Sequence, residues 1–326
     1  MTRKAGDLVV PRKLRSPLVS VVIAAYNEAR VIGEAIGTLL DQSYPHVEIV
    51  VVDDCSVDGT SRVVRRYARR GVRLLRLARN SGPGAGRNAG ARIAKGEILV
   101  FVDADMVFDR EYVSNLIRPI IAGKAIGTFH DTELIKNKDR VWARAFSINR
   151  IESPVEECGI FRAVLKDAFL SKGGFDESRG YFDDDLSAVG LSRRTHAVCY
   201  HNNPERLSEV FRHSCWVGRS LLRDPSLRQR VLPLVAVSWT LLLAIVFLVV
   251  IGSWAWMAAL ILLAAIPIVA VLLWKGIRRA INDGYLEFIV TVPIVWSVRL
   301  SGYWWGASSE MLRRNGYKVG SFYYRR

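Results

Sequence analysis

The first hundred residues alternate two hydrophobic rhythms. "LVSVVIAAYNE", "VEIVVVDD" and "EILVFVDAD" contain near-continuous β-branched and aliphatic runs, the pattern of strands buried on both faces. Between them, "EARVIGEAIGTLLDQ" sets Val31, Ile32, Ala35, Ile36, Leu39 and Leu40 at three-four spacing, the stripe of an amphipathic helix. "SVDGTSRVVRRYARR" and "GRNAGARIAKG" read as further helices and "VRLLRLA" as a short strand. Strand and helix in alternation predict a doubly wound, mostly parallel α/β sheet over 1–204, with ligands beyond the carboxyl ends of its strands. Past Phe108 the pattern blurs: "YVSNLIRPII" and "RVWARAFSINRI" predict helices, and Ser192 to Asn203 a short edge strand.

A different rhythm takes over later. Residues 231–274 contain no Asp, Glu, Lys or Arg. A hydrocarbon core about 30 Å thick takes roughly 20 helical residues. The block therefore predicts two transmembrane helices, 231–251 and 254–274, with Gly252 and Ser253 between them. Phe288 to Ser309 has Arg299 as its one charge, and a third crossing is expected over 286–309, the alternative being a re-entrant or interfacial segment, completing a membrane domain of 231–326. Residues 205–230 open with "ERLSEVFRHSCWVGRSLLR", which puts Leu207, Val210, Phe211, Val217, Leu221 and Leu222 on one face and Arg206, Arg212, Arg219 and Arg223 elsewhere. Directly before a span, this reads as a helix lying in the membrane interface. The amino-terminal "MTRKAGDLVVPRKLRSP" has no apolar core of signal-peptide length, so the first 230 residues are expected on the cytosolic side of a multi-pass cell-membrane protein. The basic loop "KGIRRAINDG" after the second span agrees with that orientation.

Charge and cysteines narrow the partners. A net charge of +15 suits nucleic acid, anionic lipid or phosphorylated substrates. Beside membrane spans, lipid head groups and phosphates are the better reading, and nucleic acid is set aside. Cys55, Cys158, Cys199 and Cys215 show no CxxC spacing, so no disulfide frame is expected.

Four constellations carry chemistry. "AAYNE" (Ala25, Tyr26, Asn27, Glu28) and "VVDDCSVDGT" (Asp53, Asp54) end two strands and set carboxylates above the sheet, where they accept hydrogen bonds from a base or sugar. The alternative for Asp53 is acceptance of backbone amides, and Asp58 is expected to cap the next helix. "NSGPGAGRNAG" offers Asn80, glycines that admit a ligand close to the backbone, and Arg87 to face a diphosphate, but lacks the lysine of a P-loop. "FVDADMVF" holds Asp103 and Asp105 on either side of Ala104, two carboxylates for a hard divalent cation, Mn2+ or Mg2+, shared with a diphosphate. Last, "SKGGFDES" leads to "GYFDDDL", where Asp183, Asp184 and Asp185 start a predicted helix. Three adjacent carboxylates exceed what a helix amino terminus uses, so at least one has another task.

The order "AAYNE", "VVDDCSVDGT", "NSGPGAGRNAG", "FVDAD", "GGFDES", "DDDLS" resembles the inverting family 2 glycosyltransferases with their GT-A fold, over about Val19 to Arg223. The resemblance implies that Asp53 contacts the nucleotide base, Asp103 the ribose or metal, and Asp105 the metal. The family's Glu-Asp-x-Asp-Leu pattern aligns Asp183 with the catalytic base. Phe182 stands at the Glu, and Asp184 competes for the role. "RHSCW" followed by apolar spans looks like a reduced cellulose-synthase-type membrane domain whose pattern is Gln-x-x-Arg-Trp. Arg212 and Cys215 replace its Gln and Arg, and Trp216 survives. The dolichyl-phosphate mannose synthases share the donor-side motifs but lack the later acidic one. Their lipid phosphate is already ionised, whereas a sugar hydroxyl must lose a proton, so the aspartate run implies a hydroxyl acceptor. These likenesses imply transfer of mannose from GDP-mannose to a dolichyl- or polyprenyl-phosphate-linked acceptor, its phosphate near Arg206, Arg212, Trp216 or Arg219. The alternatives are a UDP-sugar-using processive polysaccharide synthase and a non-catalytic protein that binds lipid or polyanion.

Overall fold

The computed structural model describes residues 13–146, 162–177, 192–222 and 254–314, with five further positions between 233 and 247. The chain divides into two compact units, one of Met1–Lys136 with Glu152–Asn202, the other of Asn137–Ile151 with Asn203–Arg326.

The first unit is built on eight strands: β1 (Val19–Ala25), β2 (Val47–Asp53), β3 (Arg73–Arg76), β4 (Ile98–Asp103), β5 (Met106–Phe108), β6 (Gly127–Ile135), β7 (Ala163–Leu165) and β8 (Ser192–His201). They form one sheet in the order β3-β2-β1-β4-β7-β6-β8-β5. From β3 to β4 every pairing is parallel, as the buried runs predict. Val19, Val21, Val22 and Ile23 of β1 and Ile98 to Val102 of β4 are buried, which places the core along these central strands. Beyond β4 the sheet is mixed, since β7 pairs antiparallel with both β4 and β6, and β5 antiparallel with β8. The expected mostly parallel sheet thus holds for half of the strands. The stretch expected as a short edge strand is the ten-residue β8, lying between β6 and β5. Ser192, Arg193 and Arg194 at its start are exposed, whereas Ala197 and Cys199 are fully buried.

Helices cover the sheet. α1 (Ile32–Leu40) buries Ile32, Ala35, Ile36 and Leu39, the stripe seen in the sequence. α2 (Thr60–Arg65) follows β2, α3 (Pro83–Ile93) follows β3, α4 (Tyr112–Ile121) follows β5, and the one-turn α6 (Lys166–Ser171) follows β7. From Pro83 on, the glycine-rich run lies inside α3, and Gly86 and Gly90 serve packing: a Cβ on Gly86 would meet Ala24 Cβ at 3.1 Å, and one on Gly90 would overlap Val22 Cγ1. Close approach of helix to strand is what these glycines permit.

The second unit holds α5 (Val141–Phe146), α7 (Leu207–Leu221), α8 (Trp254–Asp283) and α9 (Phe288–Arg314). α7 was expected to bury a leucine-rich face in the membrane interface. Its buried face carries Val210, Ser214, Cys215, Val217, Gly218 and Ser220, of which Val210 and Val217 belong to the expected face, and packs on α9. The reason is small-residue packing: a Cβ on Gly302 would meet Ser214 Cβ at 2.6 Å and Phe211 O at 2.8 Å, so the backbones nearly touch. Arg144 donates to Glu287 at 2.5 Å, and Lys275 lies 3.6 Å from the Trp296 ring centre. Among the described residues no helix is long and apolar enough to cross a membrane, and most of 231–253 lies outside them.

Candidate active site

Three strand ends meet at one crevice of the first unit. At the end of β1, Asn27 adopts a left-handed conformation, φ 57°, and so does Cys55 past β2, φ 64°. Non-glycine residues rarely hold this conformation without being over-determined by their surroundings. Asn27 N–H donates to Ser56 Oγ at 2.9 Å, and Asn27 Oδ1 accepts from Val57 N–H at 2.9 Å. Glu28 N–H donates to Thr60 Oγ1 at 2.8 Å, and Ala29 N–H to Asp58 Oδ2 at 3.0 Å. Asp58 also accepts from Thr60 N–H at the start of α2. These bonds outweigh burial and hold its carboxyl below the ordinary range. The two turns are thereby stitched into one rigid rim that includes Ala25, whose carbonyl accepts from Asp54 N–H at 2.8 Å. Tyr26 is half-buried beside it.

Asp53 and Asp54 support this rim from below. Asp53 is fully buried; it accepts from Ser56 N–H at 2.8 Å and from the Ser61 hydroxyl. Asp54 accepts from Ser81 N–H at 2.7 Å and Gly82 N–H at 2.8 Å, holding the approach to α3, and the exposed Asn80 reaches the Asp54 carbonyl at 3.4 Å. Burial raises the Asp54 carboxyl pKa despite those two amides, and the neighbouring Asp53 adds to the rise. In this arrangement the two carboxylates hold the loops around them, through backbone amides and the Ser61 hydroxyl.

The D-x-D segment is the exposed chemistry of the crevice. Asp103, at the end of β4, receives Arg87 Nη2 on Oδ1 at 2.9 Å and Arg162 Nη1 on Oδ2 at 3.0 Å. Burial would raise its pKa, but the Arg162 and Arg87 charges outweigh it and hold the carboxyl well below the usual range. Asp103 in turn raises the Arg162 pKa against the effect of burial. Buried Ala104 separates it from Asp105, which lies 3.2 Å from His201 Nε2. Burial lowers the pKa of His201, yet Asp105 prevails and pushes it up to about 9. The Asp105 carbonyl accepts both N–H and Nδ2 of Asn202 at 3.0 Å, which pins the segment to the end of β8.

Among the described residues no three His, Cys, Asp or Glu side chains form a ready-made metal cluster. Asp105 and His201 nevertheless bring a carboxylate oxygen and an imidazole nitrogen together, with 31% and 25% of their side chains exposed. A mixed oxygen–nitrogen pair fits Mn2+ better than Mg2+, which favours oxygen throughout. Both oxygens of Asp103 are occupied by arginine, so the pair nearest to a metal-binding geometry is Asp105 with His201.

Arg87 is buried, and its guanidinium lies 5.5 Å from the ring centre of Phe175. The next residue, Asn88, holds the same segment. Asn88 Nδ2 donates to Phe175 O and to Glu177 Oε1, and Asn88 Oδ1 accepts from Phe175 N–H, each at 2.9 Å. Asp183, Asp184 and Asp185 lie outside the described residues. The expected phosphate-binding residues belong to the second unit. Arg206 N–H donates to Glu209 Oε2 at 3.3 Å, Arg212 is half-buried, Trp216 is exposed, and Arg219 Nε donates to Ser309 Oγ at 3.4 Å.

Residues 20–178 match the family described as Glycosyl transferase family 2. The chain carries a family 2 glycosyltransferase domain. Among curated relatives, it is 38% identical over 91 residues to the putative teichuronic acid biosynthesis glycosyltransferase TuaG of Bacillus subtilis (strain 168), covering 27% of this chain and 36% of that protein. It is 47% identical over 89 residues to the succinoglycan biosynthesis protein ExoO of Rhizobium meliloti (strain 1021), 27% of this chain and 26% of the relative. The likeness thus spans about a third of those relatives. Among solved structures, the mannosyltransferase PcManGT from Pyrobaculum calidifontis, in complex with GDP-Man and Mn2+, superposes with a TM-score of 0.52. That match has 23% identity and covers 91% of this chain and 90% of that one. It shows a shared GT-A fold.

The first unit contains three site residues that the sequence pattern does not reveal. Arg162 lies within "IFRAVL", a lone charge in an apolar run, and a charge in a strand context signals a buried partner. His201 ends β8 as Asp103 ends β4, at a strand terminus where site residues gather. Asn88, buried inside the glycine-rich helix, gave no signal of its own.

Proposed function

We propose that this protein is a membrane-bound, divalent-metal-dependent inverting glycosyltransferase that moves a sugar from a nucleotide donor to a hydroxyl of a polyprenyl- or dolichyl-phosphate-linked acceptor. The observation that carries the reading is the crevice itself: Asp103 gripped by Arg87 and Arg162, with Asp105 beside His201, at the carboxyl ends of the parallel strands β1, β2 and β4. Two carboxylates, two guanidiniums and a cationic imidazole offer charges of both signs to a nucleoside diphosphate and its counterion. Asp105, and His201 once its imidazole has given up the proton it shares with Asp105, would hold the metal, which when bound supplies Lewis-acid neutralisation of the departing diphosphate. Arg87 and Arg162 would keep Asp103 ionised and fixed for the donor ribose.

Asp183 or Asp184 would take the proton from the acceptor hydroxyl. The oxygen then attacks the anomeric carbon in line, the bond from that carbon to the diphosphate oxygen breaks, and the nucleotide leaves with the electron pair, inverting the centre. GDP-mannose is the leading donor, supported by the mannose-synthase likeness of the motifs and by the shared fold with an enzyme bound to GDP-Man. Relatives named for teichuronic acid and succinoglycan biosynthesis support a role in glycan assembly. Membrane attachment rests on the charge-free block 231–274 and on the close α7–α9 packing through Gly218, Gly302 and Gly306. The cytosolic catalytic domain and the acceptor phosphate near Arg206, Arg212 or Arg219 belong to the same reading.

A screen of radiolabelled GDP- and UDP-sugars against a lipid extract tests it. Label should enter the lipid phase from one sugar nucleotide with Mn2+, and Asp105→Ala should abolish it. Transfer at wild-type rate by that variant would remove Asp105 from the metal site.

A further inference from the structure

We infer that Glu133 is a positioning residue that seats His201 beside Asp105 from within the core, a role that rests on Asp105 and His201 being the metal pair. β6 and β8 run parallel, with Glu133 aligned to Cys199 and Ile135 to His201. Side chains two apart on a strand share a face, so these four lie on one side of the sheet. His130 joins them there. Residues three apart on a regular strand face opposite sides, but the β6–β8 register shifts between His130 and Thr132, and His130 Nε2 comes to 3.4 Å from Glu133 Oε2. Its Nδ1 lies 3.0 Å from the hydroxyl of Tyr112, the first residue of α4, and 3.5 Å from Cys199 Sγ. Tyr112, His130, Glu133 and Cys199 are all buried.

A polar chain in this position is costly, since an apolar set of the same volume would fill the layer under α4 with no desolvation, and a buried carboxylate persists where cations answer it. The cations are those of the crevice. Burial lowers the pKa of His201; Asp105 raises it most and Glu133 next. Burial likewise lowers that of Arg162; Asp103 raises it most, and Glu133 adds to the rise. Arg162 is tied to β6 by its backbone, whose N–H donates to Thr128 O at 2.9 Å. Asp103 and Asp105 keep 32% and 31% of their side chains exposed, against 3% for Glu133. The first two therefore face the crevice, and Glu133 backs the cations from the core. A carboxylate behind a ligating imidazole orients the ring and strengthens metal binding. Its charge also attracts a divalent ion about twice as strongly as the proton which that ion displaces from His201. Both effects are lost in Glu133→Gln.

The test measures Mn2+ binding to the full-length protein without nucleotide, from the electron paramagnetic resonance of free Mn2+, in wild type, Glu133→Gln, His201→Asn and the double variant. Glu133→Gln should weaken binding at least about tenfold, the scale of losing a partner behind a metal ligand. In the His201→Asn background the same change should cost at most about threefold, the share due to charge alone, since the ring it seats is gone. A wild-type constant in Glu133→Gln, or an equal loss in both backgrounds, overturns the inference. Tyr112→Phe, which removes one hydroxyl from the far end of the chain and keeps the ring, carries the test if Glu133→Gln does not fold. It should weaken Mn2+ about threefold, and a wild-type constant there overturns the inference as well. If Asp105→Ala and His201→Asn both bind Mn2+ as the wild type does, the metal pair itself fails; if they lose Mn2+ while Glu133→Gln does not, the pair stands and the positioning role fails.

Discussion

At the scale of single residues, the site works by paired charges that are partly removed from water. Asp103 has about a third of its side chain exposed and two guanidiniums on its oxygens, so losing one leaves a carboxylate that the other and solvent still compensate. Arg162→Gln should therefore destabilise the protein by about 1–3 kcal/mol, below the usual cost of breaking a fully buried pair. A thermal melt would register this as a drop of several degrees, and an unchanged melt would mean that Arg87 alone holds Asp103. His201 gives a pH signature in the metal-free protein. Its folded pKa of about 9 exceeds the ordinary histidine value of 6.5, so its stabilising contribution is complete below pH 6.5 and lost as pH rises through 9. The melting temperature of metal-free protein should fall over that window, and His201→Asn should flatten the fall.

At the scale of elements, the glycine-rich helix shows how the same residues read differently from sequence and from structure. Gly86 and Gly90 suggested backbone open to close approach by a ligand, yet what approaches them within α3 is β1, at Ala24 and Val22. Alanine favours a helix by about 1 kcal/mol over glycine, so substitution there would stabilise a free helix. Here the order should invert: Gly90→Ala overlaps Val22 and should cost about 1–3 kcal/mol, while Gly86→Ala, at 3.1 Å from Ala24, should cost less. Denaturation of the two variants side by side checks the ranking. The buried runs of β1, β2 and β4 and the stripe of α1 were legible because their periodicity is their burial. The antiparallel half was not, because β5 and β7 are three residues each, too short to show a period. D-x-D was legible from its place after a strand. Its partners Arg162 and His201 were not, since they lie 59 and 96 residues beyond Asp103 and Asp105 and meet them only through the sheet.

At the scale of the whole molecule, the chain divides into a first unit that carries the D-x-D crevice and a second unit whose helices α7 and α9 meet through glycine and serine. The membrane reading of the second unit came from residues 231–274, and the first-unit chemistry from strand ends; neither predicted the small-residue contact of α7, because an amphipathic pattern alone does not say what covers it. Gly302→Leu should disrupt this packing and lower the yield of folded enzyme in detergent, leaving a Gly284→Ala control less affected, since a Cβ at Gly284 meets nothing within 4 Å although its φ of +75° adds some strain. The central claim is metal-dependent glycosyl transfer at the Asp103–Asp105 crevice. Its most direct measurement is transfer of radiolabel from GDP- and UDP-sugars into lipid by the wild-type enzyme with Mn2+, with EDTA, and by Asp105→Ala with Mn2+. The account predicts label in the first case and none in the other two; transfer that persists through both EDTA and Asp105→Ala would contradict it.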